Sequence, residues 1–527
     1  MEKKRQIANI ICFIRGSEPR NRKLDLIRPV TEQVKLLGRY NLKGTFLYQY
    51  DALISSDFTA PMKLCRTPVE IGVWLEIVEP LCRAAGIPWR GRPGFDWDWH
   101  AHCGFSVGYT LEERRRLCDV LFEKFRTVFG YYPRVIGSWM IDGYTLGYLY
   151  KRYNIIGSCN CKDQWGTDGY TLWGGYYGQA YYPSVNNGFC PAQTPDCQIP
   201  VPVFRMLGSD PIYQYDWGLE QSQSLESQEL QGVVTLEPVF CGEGGGGDPK
   251  WVDWYLKENF APDTLSFGYT QIGQENSFGW EAMEKGLCYQ FSRISEMIKQ
   301  GYLEAETLAE TAFWFKEKYP LTPASTITAF EDWRGMNRKT LWYCCRNYRA
   351  NFLLRGGRVY IRDMFLFDQN YTERYRKEPC RTDYLIFDNL AVMDGNRWSG
   401  SNVRAGIYPM WESAPENSYT EVLSRHENTA ENEISFYVSS VCGNYRVTCS
   451  EEQLIFKSDR PGLFLEFRQK ADSPHAEING RQLYFSQNGF AYSVTVSKGI
   501  LKNSDSGIQI SAEDNEICFH FFLYPSV

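Results

Sequence analysis

Short apolar runs alternate with amphipathic stretches of helical length over roughly the first 325 residues. The apolar runs predict strands at 7–14, 44–50, 69–74, 135–141, 155–159, 201–207, 232–239 and 265–272. The amphipathic stretches predict helices at 24–37, 110–129, 144–153 and 279–300. This alternation is typical of parallel strands joined by helical crossovers. It therefore predicts a barrel or an open α/β sheet.

The helix at 110–129 carries the clearest local signals. Thr110 stands where an N-cap is expected, and Glu113 follows three residues later, which completes a capping-box pattern. Gly130 follows directly and is the residue type that most often ends a helix.

The pattern changes after Thr322. Residues 326–380 mix aromatic and charged side chains, and we expect them to bridge two domains. From 381 onward, apolar and polar residues alternate in the runs 384–387, 434–438, 454–456, 463–467, 492–496 and 517–523. Asp394-Gly395 and Asn479-Gly480 supply turn signals between runs. Residues 381–527 are therefore predicted to form an all-β sandwich.

Composition excludes several classes of protein. The 527 residues hold 56 basic and 63 acidic side chains, so a net charge of −7 gives no electrostatic footprint for nucleic acid. No apolar stretch approaches the roughly 20 residues that span a bilayer. The basic start and the short run at 7–14 lack a cleavage site, which argues against a secretory signal. Seventeen cysteines, an odd number, favour free thiols and a cytoplasmic location.

Acidic residues recur just after the predicted barrel strands, beside aromatic residues such as Trp74 and Trp139. The set comprises Glu18, Asp51, Glu76, Asp142, Asp163, Asp210, Glu237 and Glu275. A parallel barrel places its active site at the carboxyl ends of its strands. Paired carboxylates in an aromatic pocket are what glycosidic bond cleavage requires, because one protonates the leaving oxygen and the other acts as nucleophile or base.

Four short motifs resemble the polysaccharide deacetylase superfamily over residues 7–160. They are Ile10-Ile11-Cys12-Phe13, Gly44-Thr45-Phe46-Leu47, Glu70-Ile71-Gly72-Val73-Trp74-Leu75-Glu76 and Phe129-Gly130-Tyr131-Tyr132-Pro133. The resemblance implies the glycoside hydrolase/deacetylase β/α-barrel superfamily, which also holds glycoside hydrolase families 57 and 38. The fold class it implies is α/β, with a distorted, TIM-like (β/α)7 barrel over 1–325.

The sequence departs from the deacetylases where they bind metal. Arg15-Gly16-Ser17-Glu18 replaces their Asp-Asp motif, and Trp74 takes the place of the first histidine of their His-x-x-x-His motif. The resemblance therefore implies no such metal cage here, and we predict no cofactor. Family 57 needs no metal and is closer in this respect. Its nucleophile follows the fourth strand and its acid the seventh, which by strand count implies Asp142 and Glu275 as the catalytic pair.

The segment 96–102, which holds two of only five histidines, admits three interpretations. Asp96, Asp98, His100 and His102 could bind a metal, or Asp98 and His100 could hydrogen-bond sugar hydroxyls beside a stacked tryptophan. The segment could also be a purely structural loop.

Taken together, the sequence predicts a cytoplasmic glycoside hydrolase that acts on a short oligosaccharide or glycoside. Its oligomeric state is left open. The predicted substrate-binding residues are Glu18, Trp74, Glu76, Asp98, His100, Trp139, Arg205 and Asp210. Two alternatives remain: a metal-dependent carbohydrate deacetylase, and a glycan-binding protein without catalysis.

Overall fold

The computed structural model describes residues 4–65, 67–160, 175–216, 234–239, 244–261, 264–386, 388–412, 420–504 and 507–521. Its α-helices are α1 (Ile27–Tyr40), α2 (Tyr50–Leu53), α3 (Ser56–Leu64), α4 (Glu79–Ala85), α5 (Ala101–Gly104), α6 (Leu111–Phe129), α7 (Gly143–Tyr153), α8 (Pro249–Asn259), α9 (Trp280–Lys299) and α10 (Leu308–Lys318). The described helices thus lie in the first 318 residues.

Strands of the first part of the chain form a mainly parallel sheet. They are β1 (Gln6–Ile14), β2 (Gly44–Tyr48), β3 (Val69–Trp74), β4 (Val135–Gly137), β5 (Gly157–Asn160), β6 (Ala180–Tyr181), β7 (Pro183–Ser184), β8 (Asn187–Pro191), β9 (Val203–Arg205), β10 (Gly268–Ile272) and β11 (Glu304–Glu306). The sheet order is β10-β1-β2-β3-β4-β5-β9-β6, with β11 paired to β1, while β7 and β8 form a separate pair. The predicted parallel pairing is confirmed for β1 to β5, β9 and β10, and the predicted helical crossovers are confirmed between successive strands from β1 to β5 and between β9 and β10.

The parallel sheet is strongly curled. Phe204 of β9 and Tyr269 of β10 stand six strands apart in the sheet order, yet their ring centroids are 5.1 Å apart. The backbone N–H of Leu207 also donates to Gln271 Oε1 at 2.7 Å, which links the same two edges. No ladder joins β9 to β10 in the residues that the structure describes, so the closed seven-stranded barrel stays a prediction.

The two faces of the parallel sheet pack in different apolar clusters, because successive side chains of a strand point to opposite faces. On β1, Ile7, Ile11 and Phe13 belong to the cluster on the concave side of the sheet. Ala8, Ile10, Cys12 and Ile14 pack in the larger cluster, together with residues of α1, α4, α6 and α9. Polar residues at the carboxyl ends of the strands therefore lie above the concave cluster.

The signals at 110–129 act as predicted. The Thr110 side chain accepts from the N–H of Glu113, the Glu113 side chain accepts from the N–H of Thr110, and α6 ends at Gly130 with φ of 87°. The carboxyl of Glu113 also pairs with Arg90 at 2.6 Å.

The remaining strands form two antiparallel nine-stranded sheets. They are β12 (Ser325–Ala329), β13 (Lys339–Cys344), β14 (Tyr348–Arg355), β15 (Arg358–Leu366), β16 (Leu390–Asp394), β17 (Gly406–Trp411), β18 (Val422–Leu423), β19 (Glu427–Ala430), β20 (Glu433–Ser440), β21 (Gly443–Cys449), β22 (Gln453–Ser458), β23 (Leu463–Arg468), β24 (Glu477–Asn479), β25 (Gln482–Gln487), β26 (Phe490–Lys498), β27 (Ile500–Ser504), β28 (Gly507–Ser511) and β29 (Glu516–His520). One sheet runs β12-β13-β14-β15-β17-β23-β28-β27 with β16 beside β15, and the other runs β18-β20-β21-β22-β29-β26-β25-β24 with β19 beside β20. Phe352 of the first packs edge-on against Phe436 of the second, with centroids 4.9 Å apart.

Several predicted elements differ from the structure. Residues 234–239 and 384–386 form no strand, and four strands of the first antiparallel sheet lie at 325–366, mostly within the segment 326–380 that is expected to bridge two domains. The apolar runs of the first two segments pack in loops. The strands at 325–366 belong to a sheet whose other strands come later in the chain. The domain boundaries and the sandwich architecture stay predictions.

Two further features concern the described residues as a whole. Their fifteen cysteines are free thiols. Among these ranges, no helix is both long and apolar enough to cross a membrane.

Candidate active site

A buried arginine joins two glutamates at the carboxyl end of the parallel sheet. Arg15 Nη1 lies 2.8 Å from Glu275 Oε1, and its Nη2 lies 3.1 Å from Glu76 Oε2. The three side chains are 0%, 3% and 1% exposed, respectively. Arg15 follows β1, Glu76 follows β3 and Glu275 follows β10, so residues far apart in sequence meet because parallel strands end at one edge. We call these three residues the Arg15 cluster.

Strand periodicity places two members of the cluster. Phe13 and Trp74 lie on the concave side of the sheet and stack with centroids 4.0 Å apart. Arg15 and Glu76 each lie two positions after Phe13 and Trp74. Side chains two positions apart on a strand point to the same side. Trp74 Nε1 then donates to Glu76 Oε2 at 2.8 Å.

Gly273 allows Glu275 to reach the same place. Its φ is +112°, and a Cβ at this position would lie 2.2 Å from the carbonyl oxygen of Ile11. A glycine is needed because the backbone after β10 passes directly against β1. The chain then turns, with the N–H of Glu275 donating to Gln274 Oε1 at 2.8 Å.

Further groups enclose the charges of the cluster. The guanidinium of Arg15 lies 3.9 Å from the ring centroid of Trp97, which is a cation–π distance. Gln49 Nε2 donates to Glu76 at 3.4 Å. Burial raises the pKa of Glu76, and the positive charge of Arg15 opposes that rise.

Asp51 lies beside the cluster. Its oxygens accept from Ser17 Oγ at 3.2 Å and from the N–H of Ala52 at 2.7 Å. Burial raises the pKa of Asp51 to about 6, and these hydrogen bonds limit the rise.

The donor set at this edge does not suit a divalent cation. The guanidinium of Arg15 already bonds both Glu76 and Glu275, so a second cation would face a fixed positive charge. Within the described ranges, no three His, Cys, Asp or Glu side chains are grouped so as to hold a metal. The residues present therefore do not fit the metal that deacetylases of this fold carry.

The segment 96–102 makes ion pairs of its own. Asp98 is fully buried and accepts two hydrogen bonds from the Arg92 side chain, at 2.9 and 3.0 Å. Burial alone would raise the pKa of Asp98, but the bonds from Arg92 bring it below its usual value. His100 Nδ1 lies 3.5 Å from Asp98, and His102 Nδ1 lies 3.2 Å from Asp383.

Asp142 occupies a separate polar cluster at the start of α7. It is the N-cap of that helix and accepts from Ser106 Oγ at 2.6 Å, from the N–H of Thr145 at 2.9 Å and from Arg114 Nη1 at 3.0 Å. Burial would raise the pKa of Asp142, but Arg114 and these hydrogen bonds lower it. These contacts are those of a helix cap and a buried ion pair. The predicted pairing of Asp142 with Glu275 in catalysis stays a prediction.

Two of the predicted substrate-binding residues lie beside the Arg15 cluster. Trp139 packs edge-on against both Phe13 and Trp74, with centroids 5.5 and 5.8 Å apart. Glu18 accepts two hydrogen bonds from Arg20, whose guanidinium lies 5.1 Å from the Trp97 ring.

Two more of the predicted substrate-binding residues, Arg205 and Asp210, lie near α8, and Glu237 and Asp163 belong only to the wider set of carboxylates that follow the predicted strands. Arg205 Nη2 donates to Tyr255 Oη at 3.3 Å, and Asp210 accepts from the indole N–H groups of Trp251 and Trp333 at 3.2 and 2.7 Å. Glu237 accepts from Gln274 Nε2 at 3.3 Å, one residue from Glu275. Asp163 lies outside the described residues.

Sequence reasoning missed Arg15 as a central residue and Gln49 altogether. Arg15 could have been found from the period-two pattern of β1, which continues from Ile11 through Phe13 to position 15. Gln49 carries no comparable signal, because one amide after a strand is common.

Comparison with known proteins supports the fold. No family model and no curated protein matches the sequence. A proposed glycoside hydrolase/deacetylase from Parabacteroides distasonis superposes with a TM-score of 0.53 at 15% identity, over 73% of this chain and 91% of that one. A proposed polysaccharide deacetylase from Mycobacterium smegmatis gives 0.36 at 13% identity (60% and 92%), and Puue allantoinase gives 0.37 at 12% (61% and 93%). At 15% identity the first match shows a shared fold and no more.

Proposed function

We propose that this protein is a carbohydrate-active hydrolase that cleaves a glycosidic bond without a metal ion. The observation that carries the proposal is the Arg15 cluster, in which one guanidinium holds two buried carboxylates at the carboxyl edge of the sheet. Two carboxylates beside tryptophans supply the acid and the nucleophile or base that this reaction needs. The fold shared with a proposed glycoside hydrolase/deacetylase supports the same class.

The two glutamates take different roles in this proposal. Burial raises the pKa of Glu76, which suits the acid that protonates the leaving oxygen. Glu275 then acts as nucleophile or base, held in position by Arg15 and by the hydroxyl of Ser277. Asp142 is the competing candidate for the second carboxylate. The substrate is a short oligosaccharide or glycoside.

Side chains around the cluster would bind the sugar. Trp99 and His100 are partly exposed and would supply a ring face and a polar group, whereas Trp97 and Asp98 are fully buried against Arg15 and Arg92. Aromatic faces and charged hydrogen-bonding groups are the usual lining of ligand pockets.

Aryl glycosides of both anomers of the common sugars test the proposal, because their good leaving groups need little acid assistance. Glu275→Gln should lower kcat/KM for aryl glycosides by about 10²-fold or more, whereas Glu76→Gln should do so only for alkyl glycosides, whose poor leaving groups need the acid. Asp142→Asn should lower activity less than tenfold, with any loss matched by lower thermal stability. Glu281→Gln, an exposed change on α9, is the matched control and should leave activity unchanged.

Three outcomes would redirect the assignment. On alkyl glycosides, loss of activity in Asp142→Asn with activity kept in Glu76→Gln would make Asp142 the second carboxylate. Acetate release from acetylated sugars, abolished by chelation and restored by zinc, would establish the deacetylase instead; we expect chelation to have no effect. Sugar binding without turnover of any glycoside would favour a binding protein.

A further inference from the structure

The segment between β15 and β16 crosses from the antiparallel sheet to the parallel one. The N–H of Cys380 donates to the carbonyl of Val107, and the N–H of Ala101 donates to the carbonyl of Asp383, both at 2.8 Å. These bonds hold the segment against the start of α7, where it delivers Glu373.

Glu373 is buried, and only one of its two carboxylate oxygens accepts hydrogen bonds. Its Oε2 accepts from the N–H groups of Gly143 at 3.3 Å and Gly188 at 3.0 Å. Its Oε1 is buried and accepts no hydrogen bond, although the residue is only 6% exposed. A buried polar atom without a partner is rare and costs roughly 1–3 kcal/mol.

A small cavity adjoins this carboxyl. Besides Glu373, it is lined by Met140, Phe189, Arg374, Tyr375, Leu385 and Asp388, among others. Its volume is about 40 Å³. A water needs about 10–15 Å³ on this measure, so the space admits a group of a few heavy atoms and excludes a whole sugar ring.

The neighbouring charges are already paired. Asp142 pairs with Arg114 at 3.0 Å, and Asp388 pairs with Arg374 at 2.6 Å. Among the described residues, no cation forms an ion pair with Glu373. Burial, and then the charge of Asp142, raises the pKa of Glu373 to about 7. The charge of Arg114 opposes that rise without direct contact, so the site combines an acceptor atom, a cavity of fixed size and a carboxyl that forms no direct ion pair among the described residues.

We propose that Glu373 and its cavity bind the primary ammonium group of a small ligand. The ammonium would donate a hydrogen bond to Glu373 Oε1 and supply the missing positive charge. Its carbon would lie against Phe189 and Leu385. This site is separate from the Arg15 cluster, and the proposal does not depend on which reaction that cluster catalyses.

Calorimetric titration with 2-aminoethanol tests the proposal, with ethylene glycol as its uncharged analogue. Binding of 2-aminoethanol is expected at pH 8, where an ordinary amine is protonated. Glu373→Gln keeps an oxygen for Gly143 and Gly188 and should weaken binding at least tenfold. Glu378→Gln removes the same charge from an exposed position on the same segment and should leave affinity unchanged. At pH 5.5, about 1.5 units below the pKa of Glu373 near 7, affinity should fall about 30-fold.

Several results would overturn the proposal. They are no binding by the wild type, equal affinity in Glu373→Gln, or ethylene glycol that binds as tightly as 2-aminoethanol. If Glu373→Gln fails to fold, Phe189→Trp provides a second variant, because it fills the cavity and leaves the carboxyl in place. Loss of binding in Phe189→Trp supports the site, and unchanged binding there rejects it.

Discussion

Replacing Arg15 with methionine should destabilise the protein strongly. Methionine keeps much of the length of the side chain and removes the guanidinium. Glu76 and Glu275 would then remain in a site where they are 1% and 3% exposed, without the cation they share. Two like charges would face each other in a medium that water does not screen.

The expected loss is about 4–5 kcal/mol in the free energy of unfolding at pH 8. Removing one partner of a buried ion pair costs about 3–5 kcal/mol, and here one cation serves two carboxylates. The cation–π contact between Arg15 and Trp97, at 3.9 Å, is lost as well.

The loss should depend on pH in a defined direction. Without Arg15, the charge that most opposes the rise that burial causes in the pKa of Glu76 is gone, so the folded-state pKa of Glu76 lies further above its unfolded value. Such a group stabilises the fold below its unfolded pKa, and that stability is lost as pH rises through the folded pKa. The gap between wild type and Arg15→Met should therefore narrow between pH 8 and pH 5.

Urea unfolding at pH 5 and pH 8 measures both effects. Arg22→Met is the control, because Arg22 is 60% exposed and its ion pair with Asp96 is a surface contact that is worth less than about 1 kcal/mol. If Arg15→Met costs no more than Arg22→Met, or costs the same at both pH values, Arg15 does not hold two ionised carboxylates.

Three further changes test other parts of the structure. Burial raises the pKa of Glu421 to about 7. The folded protein is therefore more stable while Glu421 is neutral, and this extra stability is lost as pH rises from about 4.5 to 7. Glu421→Gln should remove that slope and gain up to about 3 kcal/mol over wild type above pH 7 in urea titrations. Thr110→Ala should lose about 1 kcal/mol by removing the cap shared with Glu113, and an unchanged midpoint would contradict the capping box. Gly273→Ala should lower the free energy of unfolding by more than about 1 kcal/mol. Gly480→Ala is the control and should lower it by about 1 kcal/mol or less, because Gly480 has φ of +58° and open space around it. Equal losses would contradict the close approach of Gly273 to β1.

Local sequence signals predicted the elements that depend on few neighbours. Helix α6 begins and ends where Thr110 and Gly130 indicate, because capping uses residues within one turn. The prediction for strand β3 agrees with its observed bounds, Val69–Trp74, where an apolar run begins directly after Pro68.

Other predictions failed where a strand needs a partner. Residues 234–239 have the composition of a strand, yet they form no strand in the structure because no described strand pairs with them. Local composition gave no strand signal at 325–366, where mixed charged and aromatic residues form four strands because the rest of their sheet lies up to 186 residues later, at Ser511 of β28. Pairing with distant strands overrides local composition.

The sequence by itself determined the periodicities, the caps and the presence of carboxylates after parallel strands. Glu76 and Glu275 were recognised in this way as members of a set, but nothing local distinguished them from Asp142. Tertiary structure decided which carboxylates meet, because Arg15 lies 61 residues from Glu76 and 260 from Glu275 along the chain. The physical reason is that charge pairing depends on distance in space, and only the order of strands in the curled sheet sets that distance.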